Sequence, residues 1–281
     1  MAQAVGIRVI ANNEVISLAK AAGYDSVFID LEHSVFSEKD ASQLCSAALS
    51  SDITPFVRVP YECGHGYIQR ALDGGAMGIV FPHINMAGTR LPQYAAFTRW
   101  ESKRLTRRWL EEARMVVTST KFPPQGKRSL TAALPHFHFQ KISAADLVQQ
   151  LDSTCSTVFV QVETRECLEN IEAIAAVDGV DVLLVGANDL SLELGVLGDW
   201  EHQTFQTALK KVAVTARRAG KVFGIAGMYS RPDICKRIVR DMGARYVLGQ
   251  FDIGLLAMAM NKNVEMLRDL STGFYPYLMS S

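Results

Sequence analysis

The sequence predicts an α/β protein folded as a closed (β/α)8 barrel, and three observations carry that prediction. First, an Ala-rich helical stretch, a glycine and a short β-branched run recur in that order. They do so in LAKAAGYDSVFID, ALDGGAMGIVFP, IAAVDGVDVLLVG, ARRAGKVFGIAG and VRDMGARYVLGQ. Glycine just past a helix takes the left-handed conformation that ends it. Second, the apolar runs that follow are too short for helices and too continuous for half-exposed strands, so they read as parallel strands covered on both faces. Third, such runs occur eight times with helices between nearly all of them, the alternation of a parallel α/β fold.

In chain order, the first strand is expected near 5–10 in VGIRVI and the second near 26–30 in SVFID, after the helix that Gly23 closes. TPFVRV gives the third near 54–59, and the run after ALDGGA gives the fourth near 77–82. TVFVQV supplies the fifth near 157–162, and the run after Gly179 the sixth near 181–185. The last two are expected near 222–226 and 245–249, after Gly220 and Gly243. A doubly wound sheet would need a Gly-x-Gly-x-x-Gly turn after an early strand, and none is present. With 281 residues, 48% of them hydrophobic, the chain suffices for one TIM-barrel domain spanning 1–281.

Composition narrows the function. Lys+Arg and Asp+Glu balance at 29 each, so nothing global favours nucleic acid or an anionic membrane. No apolar run approaches the roughly 18 residues of a membrane helix. MAQAVGIRVI lacks the basic region, long apolar segment and cleavage site of a secretory signal. Five scattered cysteines without a C-x-x-C pair argue for reduced thiols and against a thiolate zinc site. A cytoplasmic protein with a small-molecule substrate is expected, with neither a nucleic-acid nor a membrane partner.

In a (β/α)8 barrel the active site is built from the carboxyl ends of the strands. The second strand ends in Asp30-Leu31-Glu32-His33, and the third carries Arg58 between valines, where a lone charge needs a partner or a ligand. The fourth ends in FPHIN with His83. The fifth places Gln161 and Glu163 on one face, because strand side chains alternate. The sixth ends in Gly186-Ala187-Asn188-Asp189. Each has a bland reading: Asp30, Glu32 and Asp189 as helix caps or solvated ends, Arg58 as an ion-pair partner, His83 as a satisfied core histidine. Several strand ends of this kind together are harder to dismiss.

The chemistry these residues suit is divalent-metal catalysis. Glu163 and Asp189 offer hard oxygen ligands from neighbouring strands, an Mg2+- or Mn2+-like set without sulfur. A 2-oxo acid could chelate at the open positions, where the cation polarises its keto group. Arg58 could hold a developing enolate oxygen, and His33, oriented by Asp30, could move protons. The amides of Gly186 to Asp189 could receive the substrate carboxylate.

Seven segments taken together resemble a known family: GYDSVFIDLEHS, PFVRVP, ALDGGAMGIVFPHIN, KFPPQGKRS, FVQVET, VGANDLSLELG and GARYVLGQFDIGLL. They are similar to the HpcH/HpaI aldolase/citrate lyase family of metal-dependent 2-oxo acid aldolases, and the histidine of FPHIN resembles its macrophomate synthase-like branch. The resemblance implies a barrel of the phosphoenolpyruvate/pyruvate type and Glu163 and Asp189 as ligands of Mg2+ (or Mn2+ or Co2+). It implies Arg58 as the enolate-stabilising arginine, His33 with Asp30 as the proton-transfer pair, and Gln161 beside the bound 2-oxo acid. Glu32 would hold metal-bound water, and Asp73 would be supplied to a neighbouring subunit. The family's reactions pass through a pyruvate enolate, made by retro-aldol cleavage of 4-hydroxy-2-oxo acids or by oxaloacetate decarboxylation. Its members are hexamers, trimers of dimers that exchange C-terminal helices.

Two features depart from the family. Its Gly-Pro-Ala-Asp loop reads Gly186-Ala187-Asn188-Asp189 here, which keeps the ligand aspartate and bears on specificity. An insert at 88–110 separates INMA from EEARMVV and holds two of the three tryptophans, with six basic residues against one acid. A basic lid or a nucleic-acid-binding helix is one reading. The preferred one is a translated intron, because Gly88 and Leu110-Glu111 can both be encoded with in-frame splice-site bases. A lyase is therefore expected. The alternatives are enolate trapping of the macrophomate synthase kind and a catalytically impaired oligomeric relative.

Overall fold

The computed structural model describes residues 1–61, 63–84 and 112–272, so the insert expected at 88–110 lies outside the described residues. Eight parallel strands close into a barrel in chain order. They are β1 (Ala2–Ile7), β2 (Ser26–Asp30), β3 (Thr54–Arg58), β4 (Gly78–Phe81), β5 (Thr157–Val162), β6 (Val182–Gly186), β7 (Val222–Ala226) and β8 (Tyr246–Phe251). Around them lie α1 (Glu14–Ala21), α2 (Glu38–Ser50), α3 (His65–Asp73) and helical residues 112–120 (α4). Next come α5 (Ala144–Thr154), the short α6 (Arg165–Glu169) and α7 (Ile171–Ala175), and α8 (Ala187–Glu193). The ring ends with α9 (Gln203–Arg218), α10 (Pro232–Met242) and α11 (Asp252–Thr272).

All eight expected strands are present. The glycine after a helix does what the sequence requires of it: Gly243 closes α10 at φ 80°, and Gly23, Gly75, Gly179 and Gly220 are also left-handed. One boundary moves. The first strand, expected near 5–10, is Ala2–Ile7, because the amides of Arg8, Val9 and Ile10 leave the ladder and donate to the Asp252 carboxylate at 3.1, 2.9 and 2.8 Å.

Alternation divides each strand between two cores. Outward residues such as Val27, Ile29, Val57, Val158, Val160 and Val185 pack under the helices. Inward residues form a second, smaller cluster in which Phe28, Phe159 and Tyr246 are buried with Phe56 against them. The Phe56 and Phe159 rings lie 4.7 Å apart and those of Phe159 and Tyr246 5.2 Å, both edge-to-face. This aromatic plug fills the barrel interior. Two residues further along the same strands, the same inward face carries Asp30, Arg58 and Gln161.

Candidate active site

The register of β2 on β3 pairs Asp30 with Arg58, and both side chains point into the barrel mouth. Arg58 donates from Nε to Asp30 Oδ1 at 2.9 Å and from Nη2 to Oδ2 at 2.7 Å, a buried two-pronged pair. Its Nη1 stands 3.1 Å from Glu32 Oε2, without an aligned hydrogen bond. Burial alone would raise the Asp30 carboxyl, but the Arg58 hydrogen bonds and charge outweigh it and hold the group below the usual range. The guanidinium is thus fixed on a stem that cannot swing.

This geometry corrects one expectation. Asp30 does not orient the His33 ring: its oxygens accept from Arg58, and its contact with His33 is to the backbone N–H at 3.3 Å. The His33 ring faces Glu32 instead, with Nε2 3.7 Å from Oε2, and stays 54% exposed at the cleft. Asp30 is already saturated by a stronger partner, which is why the pairing read from adjacency in sequence does not form.

His83 sits at φ 47° just past β4, and its ring spans two acids. Nε2 is 3.2 Å from Glu32 Oε1, and Nδ1 is 3.2 Å from Glu163 Oε1. Its backbone N–H also donates to Glu163 Oε1, at 2.6 Å. The hydrogen bond with Glu32 raises the His83 pKa against the opposing effect of burial, with Glu163 adding to the rise. A doubly protonated ring satisfies both carboxylates. His83 faces a separate cleft of about 530 Å3 beside Tyr61, not the one that Arg58 lines.

Glu163 is 1% exposed, and burial raises its carboxyl pKa. Besides the contacts from His83, its Oε2 accepts from Gln161 Nε2. Across from it, β6 ends at Gly186, which caps α8 and carries Asp189 in the first turn. A Cβ at Gly186 would stand 3.0 Å from Glu163 Oε2 and 3.3 Å from Gln161 Nε2, so the glycine keeps that space clear. Among the described residues no group of three or more His, Cys, Asp or Glu forms a metal cage. Glu163 and Asp189 are hard oxygen donors of the kind that suits Mg2+ or Mn2+, which keep most coordination positions for water and substrate, and of the two it is Asp189 that lines the open cleft. Cys167, near Glu163, is buried and its thiol pushed far up, so it offers no thiolate.

Arg58, Gln161, Gly186, Ala187, Asn188, Asp189 and His33 share one cleft of about 420 Å3. Asp73 does not line it: at the end of α3 it accepts from Arg128 Nη2 at 2.8 Å. The cleft also holds residues that sequence reasoning missed, among them Arg8, Tyr229, Gln250 and Phe251. Arg8 carried the same signal that singled out Arg58, a lone charge inside an apolar run, VGIRVI beside FVRVP. Asp252 was missed too. Its carboxylate is 3% exposed and takes four backbone amides, the fourth from Ile253 at 2.8 Å.

A family model described as HpcH/HpaI aldolase/citrate lyase matches residues 9–257. The chain is 43% identical over 259 residues to a 4-hydroxy-4-methyl-2-oxoglutarate aldolase of Chaetomium globosum, covering 92% of this chain and 88% of the relative. A protein of the same name from Hapsidospora irregularis is 41% identical, at 92% and 87% coverage. Among solved structures, macrophomate synthase superposes with a TM-score of 0.74 over 97% of this chain and 86% of its own. At 24% identity that likeness speaks to the fold alone.

Proposed function

The chain belongs to the HpcH/HpaI aldolase/citrate lyase family, and on that premise we propose that it is a divalent-metal-dependent carbon–carbon lyase working through a pyruvate enolate. It cleaves 4-hydroxy-2-oxo acids to pyruvate and a carbonyl product, or decarboxylates oxaloacetate to the same enolate. The observation that carries this reading is Arg58, a buried guanidinium locked by Asp30 at the wall of a cleft that Asp189 shares. Arg has five N–H donors, and the contacts to Asp30 and Glu32 leave others for a ligand oxygen.

Glu163 and Asp189 would hold Mg2+ (or Mn2+ or Co2+), and the cation supplies Lewis acidity toward a keto oxygen. Around it, the chain's own residues do the rest. The amides of Gly186 to Asp189 take the substrate carboxylate, and Gln161 fixes the bound 2-oxo acid beside Glu163. His33, on the exposed rim, removes the C4 hydroxyl proton. The C3–C4 bond then breaks, and its electron pair passes into the C2–C3 enolate, whose oxygen Arg58 stabilises. A proton returned to C3 gives pyruvate. Glu32, whose carboxylate faces Arg58 and His83, would hold water in the site.

Assembly belongs to the same proposal. The chain forms a hexamer, a trimer of dimers with exchanged α11 helices, in which Asp73 is supplied to a neighbour's cleft. In support, α11 leaves the barrel exposing Leu255, Leu256, Met258, Met260, Leu267 and Leu270. Among the described residues no helix is long and apolar enough to cross a membrane, and a cytoplasmic location accords with that. The insert at 88–110 is read as a translated intron, which transcript reads joining Ala87 to Glu111 would establish.

Pyruvate release from oxaloacetate and from 4-hydroxy-2-oxo acids, with Mg2+, with Mn2+ and after chelation, tests the reading. Turnover that needs the metal and falls at least about 100-fold in Asp189→Ala supports it. Turnover indifferent to chelation would sink it.

A further inference from the structure

The cleft has a second guanidinium that the proposed chemistry does not use. Arg8 stands just past β1 and lines the same cleft as the locked Arg58. Two strand spacings, roughly 10 Å, separate the ends of β1 and β3 around the barrel. The Arg8 guanidinium lies over the Phe251 ring, 5.2 Å from its centroid, and has no carboxylate partner among the described residues.

The acid in contact with the Arg8 backbone is Asp252, and it is already taken. Four backbone amides, those of Arg8, Val9, Ile10 and Ile253, saturate its carboxylate. This contact pins the Arg8 backbone while leaving its side chain without a counter-ion. Phe251 fixes the stem of the arrangement, stacked edge-to-face on Phe28 and Tyr229 with ring centroids 6.1 Å apart in each case. Gly6 admits that ring, because a Cβ there would run into Phe251. Tyr229 completes the wall. Burial pushes its hydroxyl up to about 12 against the pull of Arg58 and Arg8, so at neutral pH it is an uncharged hydroxyl in the same cleft.

A half-buried guanidinium held over an aromatic face, with the acid beside its backbone committed to amides, is stabilised by an anion that arrives with the ligand. The head of a 2-oxo acid is already accounted for by Arg58, Gln161 and the α8 amides. We infer that Arg8 is a specificity-determining residue that receives the distal carboxylate of the substrate, so that the enzyme selects 4-hydroxy-2-oxo diacids over their uncharged-tail counterparts. The inference rests on the lyase reading for the orientation of the head. The planar fork of arginine suits a two-pronged carboxylate contact, with Tyr229 and Gln250 beside it.

The test compares 4-hydroxy-2-oxoglutarate with 4-hydroxy-2-oxopentanoate, which differ only in carboxylate against methyl at the far end. In parallel, calorimetry with Mg2+ compares binding of the non-cleavable 2-oxoglutarate and 2-oxopentanoate. The diacid-to-monoacid ratio of kcat/KM should fall roughly 30- to 100-fold in Arg8→Gln and recover in part in Arg8→Lys. The binding ratio should fall in step. A ratio unchanged in Arg8→Gln, with both substrates weakened alike, overturns the inference and leaves Arg8 as packing for Phe251. If the wild type cleaves neither acid, the lyase reading falls, and the binding ratio still decides Arg8. A preference for 2-oxoglutarate lost in Arg8→Gln upholds the assignment, and no preference in the wild type overturns it.

Discussion

The interior of this barrel is built on opposite principles at two levels only two residues apart. Lower down, Phe56, Phe159 and Tyr246 interlock edge-to-face in one apolar cluster with Phe28. At the mouth, the next inward positions of the same strands are Asp30, Arg58 and Gln161, with Glu163 above them. The lower layer gains stability from burial of apolar area. The upper layer gives some of it up, since Glu163 keeps an ionisable group where burial disfavours its charge. The plug makes that tolerable: a rigid, dry floor holds the charged side chains in fixed positions, as electrostatic stabilisation of a developing charge requires.

The sharpest way to break the contrast is at its lower level. Phe159→Ala empties the centre of the plug and should cost about 3–5 kcal/mol of stability by denaturant melting, while kcat per folded molecule changes little. If turnover falls as steeply as stability, the two levels are not separable. Two steps up the same strand face, the expectation reverses. Glu163→Gln should lower kcat/KM by about 10²–10³-fold. It should also leave the metal-free melting temperature level or higher, since a carboxyl whose pKa is raised in the fold destabilises the folded state when ionised. A cooperative loss of stability would make Glu163 structural rather than functional.

The smallest effect joins the two levels. Asp30 is buried and charged, and its pKa is lowered in the fold. Its pairing with Arg58 therefore contributes stability that is complete above the ordinary aspartate value of 3.8 and drains as pH falls through the lower folded value. Asp30→Asn should be about 2–3 kcal/mol less stable than wild type at pH 7. The gap should narrow as the pH drops below about 4. A gap that stays constant across that range would remove the charge from the account.

Much of the fold was legible because it is written locally. A helix ended by a left-handed glycine, followed by a β-branched run, needs only neighbouring residues to be recognised, and the five such repeats mark their strands within a few positions. The cleft was legible in part of its lining, through Arg58, Gln161 and Asp189, and not in its pairing. Asp30, Arg58, Glu163 and Asp189 could be found at strand ends, but adjacency suggested Asp30 beside His33, whereas strand register gave it to Arg58. Arg8 showed the same isolated charge as Arg58 and went unread, because its meaning depends on a carboxylate that is absent from its side.

By itself the sequence determined the number and order of the strands and the face on which each polar residue emerges, since alternation and glycine conformation act over a few residues. Only the tertiary structure decided who neutralises whom. Closing the barrel lays β1 against β8, bringing Asp252 to the amide of Arg8 across 244 positions of sequence. That contact spends the acid on backbone and leaves the guanidinium facing the cleft. Charge pairing is settled by distance in space, and no spacing along the chain contains that distance.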